Sequence, residues 1–225
     1  MKTRSWLRRV RPKQGERRPR DVAAVGLAGA ALLGASLAAP PASARFYGLT
    51  LATAATLTLG GLATTPPPVE PRDRRILVSA TTGIAAFGVF YGCALIARRI
   101  PVLRTAITNL LRYADRGRTP AVLLTALANG AAEEVYFRGA VYHAAPSRPV
   151  AVSTGAYILT TTATRNPALV LAAAVMGTLF GMQRRSTGGI QASLIAHLTW
   201  STLMLHFMPP LFLDDPPGPT MRSPG

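Results

Sequence analysis

The chain has little charge and almost no cysteine. Only 15% of its 225 residues are charged and 49% are hydrophobic, whereas soluble proteins carry about 25% charged residues. Cys93 is the only cysteine, which excludes an intrachain disulfide and a thiolate metal cluster. It lies in an apolar run without a nearby base, a setting typical of a small buried hydrophobic residue. The composition therefore disfavours a soluble domain.

The few charges are also unevenly placed. Seven stretches contain no Asp, Glu, Lys or Arg, and several reach the roughly 20 residues that a helix needs to cross a bilayer. This pattern predicts an all-α, polytopic transmembrane helical bundle with about seven spans. The uncharged stretches are residues 22–44, 46–69, 76–97, 119–132, 149–164, 166–183 and 186–213.

A different kind of helix is expected between the third and fourth spans. In residues 102–114 the apolar side chains recur at helical spacing, and Arg104 and Arg112 fall outside that stripe. This is the pattern of an amphipathic helix that lies in the membrane interface. The chain accordingly divides into a basic cytoplasmic tail (1–21), three N-terminal transmembrane helices (22–97), an interfacial amphipathic segment (98–118), a four-span helical core (119–208) and a Pro-rich tail (209–225).

The first span also has features of a signal peptide. The run Ala42-Ser43-Ala44 after it fits a cleavage site between small residues. However, the basic region before this span is long for a signal peptide, and further apolar runs follow it. We therefore expect a retained transmembrane helix.

The net charge of +16 has two interpretations. Basic patches bind nucleic-acid phosphates, but no nucleic-acid-binding module is visible, and the basic residues lie between the apolar runs. Flanking arginines of this kind follow the positive-inside rule and attract anionic lipid headgroups. We therefore expect a multi-pass protein of the cell membrane whose basic loops contact anionic lipids, with no nucleic-acid partner. The excess of arginine over lysine, 23 to 2, favours a GC-rich bacterial genome and hence the bacterial inner membrane.

Three charged residues interrupt the fourth apolar region: Glu133, Glu134 and Arg138. An ionised residue at the centre of a transmembrane helix costs roughly 2.5–3.5 kcal/mol, so these residues are expected to pair or to do chemistry. Glu134 and Arg138 share a helix face and can pair, which by itself would only fix helix packing. Glu133 points to another face, with Asn129 and Phe137, and is expected to remain free. Adjacent carboxylates in a medium of low dielectric constant are hard to ionise together, which suits one of them to act as a general base.

A polar stripe crosses the last span. Ser193, His197 and Ser201 recur every four residues on an otherwise apolar helix. A single histidine is more often a satisfied core residue, but a histidine inside a membrane, in a chain that also buries two glutamates, indicates a site. We therefore expect His197 to be functional. His143 and His206 lie near helix ends and are expected to be interfacial and structural.

Two of these patterns resemble the motifs of a known family. The run from Glu133 to Arg138 resembles the Glu-Glu-x-x-x-Arg motif of the CPBP family, which comprises CAAX proteases and bacteriocin-processing (Abi) enzymes. The run from His197 to Ser201 is similar to the final His-x-x-x-Asn motif of that family. The resemblance covers about residues 119–205.

The resemblance implies a multi-span α-helical intramembrane protease that cleaves a peptide or a membrane-protein terminus. In that scheme Glu133 is the general base that activates a water, and Glu134 and Arg138 orient it. His197 donates a hydrogen bond to the oxyanion. Ser201 stands where asparagine is usual, and its hydroxyl can donate one hydrogen bond. We expect no cofactor and no metal, since a His-Glu-x-x-His zinc motif is absent from the sequence, although two glutamates and a histidine could hold an ion.

The middle motif of the family, Phe-x-x-x-His, is incomplete in this chain. The corresponding run begins at Tyr157 and has Thr161 where histidine is expected. Threonine cannot carry a proton as imidazole does near neutral pH. The chain is therefore expected to be an endopeptidase in which Glu133 works with another partner, or a degenerate family member that acts as a membrane scaffold, immunity protein or regulator. A transporter that uses the glutamates as proton carriers is a third interpretation, which the lack of an internal repeat disfavours.

Overall fold

The computed structural model describes residues 18–64, 76–116 and 119–213, and every regular element in these ranges is helical. The predicted all-α class is thereby confirmed for them. The α-helices are α1 (Arg18–Ala38), α2 (Ala44–Thr64), α3 (Ile76–Ala97), α4 (Pro101–Arg116), α5 (Thr119–Glu133), α6 (Tyr142–Ala144), α7 (Pro149–Thr161), α8 (Pro167–Thr187) and α9 (Gln191–Leu213). A π-helix (Glu134–Val141) joins α5 to α6, and a 3-10 turn (Thr162–Thr164) follows α7.

Several helices are long and apolar enough to cross a membrane. Leu27, Leu59 and Leu77 lie on three of them, and each of these side chains is more than two-thirds exposed. Large apolar side chains that point outward from long apolar helices suit contact with lipid tails. The fold is therefore that of a helical membrane protein, while the total of about seven spans and the interfacial position of α4 stay predictions. The four candidate spans are Pro19–Ala38, Ala44–Thr64, Ile76–Ala97 and Pro167–Thr187.

α1 and α2 pack closely and support the π-helix from one side. A side chain added at Gly29 of α1 would lie 2.6 Å from Leu57 Cδ2 of α2. Small residues at helix crossings let two backbones approach closely within a membrane. The Tyr136 hydroxyl of the π-helix donates a hydrogen bond to Val22 O of α1 at 2.7 Å. The N-terminal helices therefore help to position the π-helix.

α4 is attached to two of the candidate spans. The Tyr113 hydroxyl lies 2.7 and 2.8 Å from the carbonyl oxygens of Leu37 and Ala39, at the end of α1, and donates to one of them. Burial raises the pKa of Tyr113, so this hydroxyl keeps its proton and acts as a donor. Asn166, which caps α8, donates its side-chain amide to Ala106 O at 2.9 Å. α4 therefore lies at the end of the bundle where α1 ends and α8 begins.

α8 extends one turn further than its uncharged stretch predicts. The stretch ends at residue 183, but the helix continues through the charged residues that follow, to Thr187. It ends because Gly188 adopts the left-handed conformation, with φ of 77°. This conformation is costly for residues with a side chain and common for glycine after a helix.

α9 also extends beyond its predicted end, into the expected Pro-rich tail (209–225). The helix includes two prolines and ends at Leu213. Met208 and Phe212 are buried in one cluster with residues of α3 and α4, which holds the last turn of α9 in place. The tail therefore begins later than expected, and residues 214–225 lie outside the described ranges.

The N-terminal half departs from expectation at two smaller points. α1 begins at Arg18, within the expected basic tail (1–21), and its first turn contains Asp21, an acidic residue near the positive end of the helix dipole. Cys93 is exposed rather than buried, because α3 buries few of its residues against neighbouring helices.

Candidate active site

The charged cluster lies at the junction of an α-helix and a π-helix. α5 ends at Glu133, and the next eight residues, Glu134–Val141, are π-helical. The backbone N–H of Tyr142 closes the last of these turns on Phe137 O, five residues earlier. The motif therefore lies mostly on a π-helix, although the spacing of its residues also fits an α-helix. π-Helical turns are rare, and they occur frequently at functional sites.

Side chains from two other helices bind carbonyl groups of the π-helix. Ser153 Oγ of α7 donates to Phe137 O at 2.9 Å. Arg184 Nε of α8 donates to Arg138 O at 3.0 Å, and its guanidinium lies over the Tyr142 ring at 5.2 Å. Buried carbonyl groups need such partners. The π-helix is therefore held by tertiary contacts as well as by its own backbone bonds.

Glu134, Arg138 and His197 form a cluster of charged and ionisable groups that is closed to solvent. Glu134 Oε1 lies 3.3 Å from Arg138 Nη1 and 3.0 Å from His197 Nδ1. Glu134 and Arg138 are both 0% exposed. A carboxylate paired with a guanidinium is ionised and only accepts hydrogen bonds, so Nδ1–H of His197 is the donor. Glu134 therefore contacts both Arg138 and His197, and the role in orienting Glu133 that the motifs imply stays a prediction.

The guanidinium of Arg138 is enclosed by aromatic rings and one carbonyl group. Its Nη2 donates to Gly177 O of α8 at 3.1 Å. Its central carbon lies 5.0 Å from the ring centre of Tyr157 and 5.3 Å from that of Phe180. Aromatic faces attract a cation, most strongly where water is excluded. These contacts stabilise a positive charge whose burial away from solvent would otherwise be costly.

Glu133 has a neutral hydrogen-bond donor on each of its carboxylate oxygens. Asn129 Nδ2 donates to Oε1 at 2.9 Å, and the Tyr157 hydroxyl donates to Oε2 at 2.7 Å. His197 Nε2 lies 3.9 Å from Oε2. Glu133 is 8% exposed, in contrast to its fully buried neighbour. Arg138 thus pairs with Glu134 and leaves Glu133 without a guanidinium partner, as expected, while two neutral groups hold the Glu133 carboxylate.

His197 connects the two carboxylates and is itself tightly held. Its ring stacks on Phe180, with ring centres 4.7 Å apart. Gly130 of α5 faces Nε2, and a side chain added there would lie 3.3 Å from that nitrogen. The hydroxyl of the buried Ser193 lies beside Glu134 and donates to Ile190 O at 3.0 Å.

Within the described ranges, no group of three or more His, Cys, Asp and Glu could hold a metal ion.

Other residues singled out from the sequence lie outside this cluster. Ser201 is half-buried, and no hydrogen bond joins it to His197 or the glutamates in the part of the chain that the structure describes. The Thr161 hydroxyl donates to Tyr157 O at 2.7 Å. His143 and His206 are exposed. The structure therefore brings four of the five expected site residues together: Glu133, Glu134, Arg138 and His197.

Tyr157 is the contact that the motifs did not identify. It occupies the aromatic position of the incomplete middle motif, where the family pattern has phenylalanine. A signal was present in the sequence, because a tyrosine inside an apolar helix needs a partner for its hydroxyl. The partner itself lies 24 residues away in the chain, and only the tertiary packing shows it.

Fold and site together define a helical membrane protein that brings two carboxylates and a histidine together in its interior. A sequence model of the family described as type II CAAX prenyl endopeptidase Rce1-like matches residues 115–203. These residues include both glutamates, Arg138 and His197. Residues 115–203 therefore belong to the CAAX-protease (CPBP) family, as their motifs indicate. No curated protein and no solved structure matches the chain.

Proposed function

We propose that the protein is a CAAX-protease-like endopeptidase that hydrolyses a peptide bond within the membrane, with a water activated by Glu133. The strongest support is that both glutamates meet one imidazole. His197 Nδ1 lies 3.0 Å from Glu134, and His197 Nε2 lies 3.9 Å from Glu133. Glu134 and His197 are 63 residues apart in the chain, so the fold creates this arrangement.

The space between Glu133 and His197 suits the attacking water. A gap of 3.9 Å between Glu133 Oε2 and His197 Nε2 is too long for a direct hydrogen bond, and one water can reach both atoms. Gly130 borders this space without a side chain. As the water oxygen bonds to the peptide carbonyl carbon, Glu133 accepts a proton from the water. Glu133 then gives that proton to the leaving amine as the C–N bond breaks.

His197 is proposed to stabilise the oxyanion. Because Nδ1–H donates to Glu134, Nε2 is the atom directed at the reaction. If the imidazole is protonated, its Nε2–H can donate to the oxyanion and stabilise the negative charge there. Ser201, one turn further along α9, is the proposed second donor to the oxyanion.

The proposed substrate is a peptide or the terminus of a membrane protein. This proposal is supported by the candidate spans α2 and α8, which pack against the helices that carry the site residues, and by the description of the matching family as a prenyl endopeptidase. The proposed location is the bacterial inner membrane, with several spans and with basic loops against anionic lipid headgroups. No nucleic-acid partner is proposed.

The test uses the full chain in detergent and internally quenched peptides with C-terminal Cys-aliphatic-aliphatic-X sequences, with and without a prenyl group. We expect cleavage by the wild type and a rate roughly 10²–10⁴-fold lower for Glu133→Gln, which keeps the shape but cannot accept the proton. Asp115→Asn, which neutralises an exposed carboxylate on α4, should cleave normally. Unchanged cleavage by Glu133→Gln would refute its role. A wild type that cuts none of the peptides would support the scaffold, immunity or regulatory interpretation.

A further inference from the structure

Tyr157 makes the shortest contact to the proposed general base. Its hydroxyl lies 2.7 Å from Glu133 Oε2, compared with 2.9 Å for Asn129 on the other oxygen. Oε2 is also the oxygen that faces His197 Nε2. The hydroxyl therefore contacts the carboxylate on the side where the reaction is proposed. Tyr157 is the only titratable residue of α7.

The Tyr157 ring is fixed by neighbours on three sides. It packs on the Phe137 ring with centres 4.8 Å apart, and the Arg138 guanidinium lies 5.0 Å from its centre. A side chain added at Gly177 would lie 3.3 Å from Tyr157 Cδ1, so α8 approaches the ring through a residue without a side chain. A ring held in this way places its hydroxyl with little remaining freedom.

The chemistry of a phenol suits it to donate a hydrogen bond to a carboxylate. An ordinary tyrosine loses its proton only near pH 10, so at neutral pH its hydroxyl donates and does not serve as the base. A carboxylate oxygen has two acceptor positions. With Tyr157 on one position of Oε2 and Asn129 on Oε1, the second position of Oε2 is left for the water. Two donors from two helices fix the plane of the carboxylate.

We propose that Tyr157 is a positioning residue, whose hydroxyl holds the Glu133 carboxylate in the orientation that accepts the water proton. The Tyr157 hydroxyl of α7 thus donates a hydrogen bond to Glu133. The Thr161 hydroxyl of the same helix donates instead to a backbone carbonyl group of α7. The catalytic consequence rests on the proposed function. The hydrogen bond itself can be tested without any cleavage assay.

The kinetic test is Tyr157→Phe, which keeps the ring and removes the hydroxyl. We expect kcat to fall roughly 10–100-fold, the range for a lost hydrogen bond to a charged group. KM should stay within about twofold, since the hydroxyl contacts Glu133 and not the substrate. Tyr113→Phe is the matched control, because its hydroxyl bonds main-chain carbonyl groups at the end of α1, away from Glu133, and its kcat should be unchanged. An unchanged kcat for Tyr157→Phe, in an enzyme that Glu133→Gln inactivates, would overturn the inference and leave the proposed function intact.

The second test is infrared difference spectroscopy of the full chain. Subtracting the spectrum of Glu133→Gln from that of the wild type isolates the carboxyl bands of Glu133. Tyr157→Phe should shift these bands, because they respond to hydrogen bonding, and Tyr113→Phe should leave them in place. Bands that do not move in Tyr157→Phe would overturn the inference. If the wild type cleaves no peptide, the proposed function fails, and the bands still decide whether Tyr157 holds Glu133.

Discussion

On one side of the junction between α5 and the π-helix a buried carboxylate contacts a guanidinium and an imidazole, and on the other side its neighbour accepts its hydrogen bonds from two neutral groups. Glu134 is 0% exposed and contacts a guanidinium and an imidazole. Glu133 is 8% exposed and contacts an amide and a phenol. We call the first group the charged side (Glu134, Arg138 and His197) and the second the neutral side (Glu133, Asn129 and Tyr157).

This difference in contacts predicts that Glu134 mainly affects stability and that Glu133 mainly affects the reaction. A buried ion pair is strongly destabilised when one partner is removed, because the other charge is left without compensation. A carboxylate held by neutral donors can change its protonation state without leaving a partner charge uncompensated. The charged side is therefore expected to carry the larger effects on folding, and the neutral side the larger effects on rate.

The largest effect on stability is expected for Arg138→Met. This change leaves Glu134 buried without a cation and should cost about 3–5 kcal/mol. The midpoint of thermal unfolding in detergent, followed by circular dichroism, measures it. Arg185→Met is the control, because Arg185 is an exposed arginine on α8 and its loss should leave the midpoint unchanged. Equal midpoints for both variants would show that the charged side does not stabilise the fold.

An intermediate effect, on rate rather than stability, is expected for Gly130→Ala. The added methyl group would lie 3.3, 3.5 and 3.6 Å from Nε2, Cδ2 and Cε1 of His197, over the face of its ring, and should lower kcat/KM about tenfold through displacement of that ring. Stability should hold or rise by up to about 1 kcal/mol, because alanine favours helix more than glycine does.

The control for that variant is Gly155→Ala on α7, where an added methyl group meets no atom within 4 Å. It should leave kcat/KM unchanged. If Gly130→Ala also cleaves at the wild-type rate, the position of the His197 ring does not control the reaction.

The smallest effect is expected for Ser153→Ala. Loss of the hydrogen bond to Phe137 O should cost about 1 kcal/mol, and the amides of the π-helix should exchange their hydrogens faster. Hydrogen exchange followed by mass spectrometry measures the change in peptides that cover residues 134–141. Ser186→Ala is the control, since its hydroxyl also bonds a carbonyl oxygen but on an exposed surface. Equal exchange in both variants would mean that α7 does not support the π-helix.

The sequence predicts the helices well and their ends less well. Uncharged stretches correspond to the long helices because apolar length is the property that a bilayer requires. Charge does not mark the end of α8, however, because helical backbone continues until Gly188 turns left-handed. The end of α9 depends on the contacts of Met208 and Phe212 with distant helices, which no local pattern encodes.

Within the site, sequence spacing identifies the residues but not their partners. The i, i+4 rule correctly pairs Glu134 with Arg138. It does not show the π-helix, because the same residues also fit an α-helix. Carbonyl groups of the π-helix accept hydrogen bonds from side chains of α7 and α8, and these contacts depend on tertiary packing. The bond between Tyr157 and Glu133 is likewise a product of tertiary packing.

The most direct test compares Glu133→Gln with Glu134→Gln for both cleavage rate and unfolding midpoint. The two changes are chemically identical and one residue apart. We expect Glu133→Gln to lose roughly 10²–10⁴-fold in rate with an unchanged midpoint. Glu134→Gln should lower the midpoint markedly, because Arg138 is left as an uncompensated buried charge. Equal losses of rate and of midpoint in the two variants would contradict the division of roles between the neighbouring glutamates.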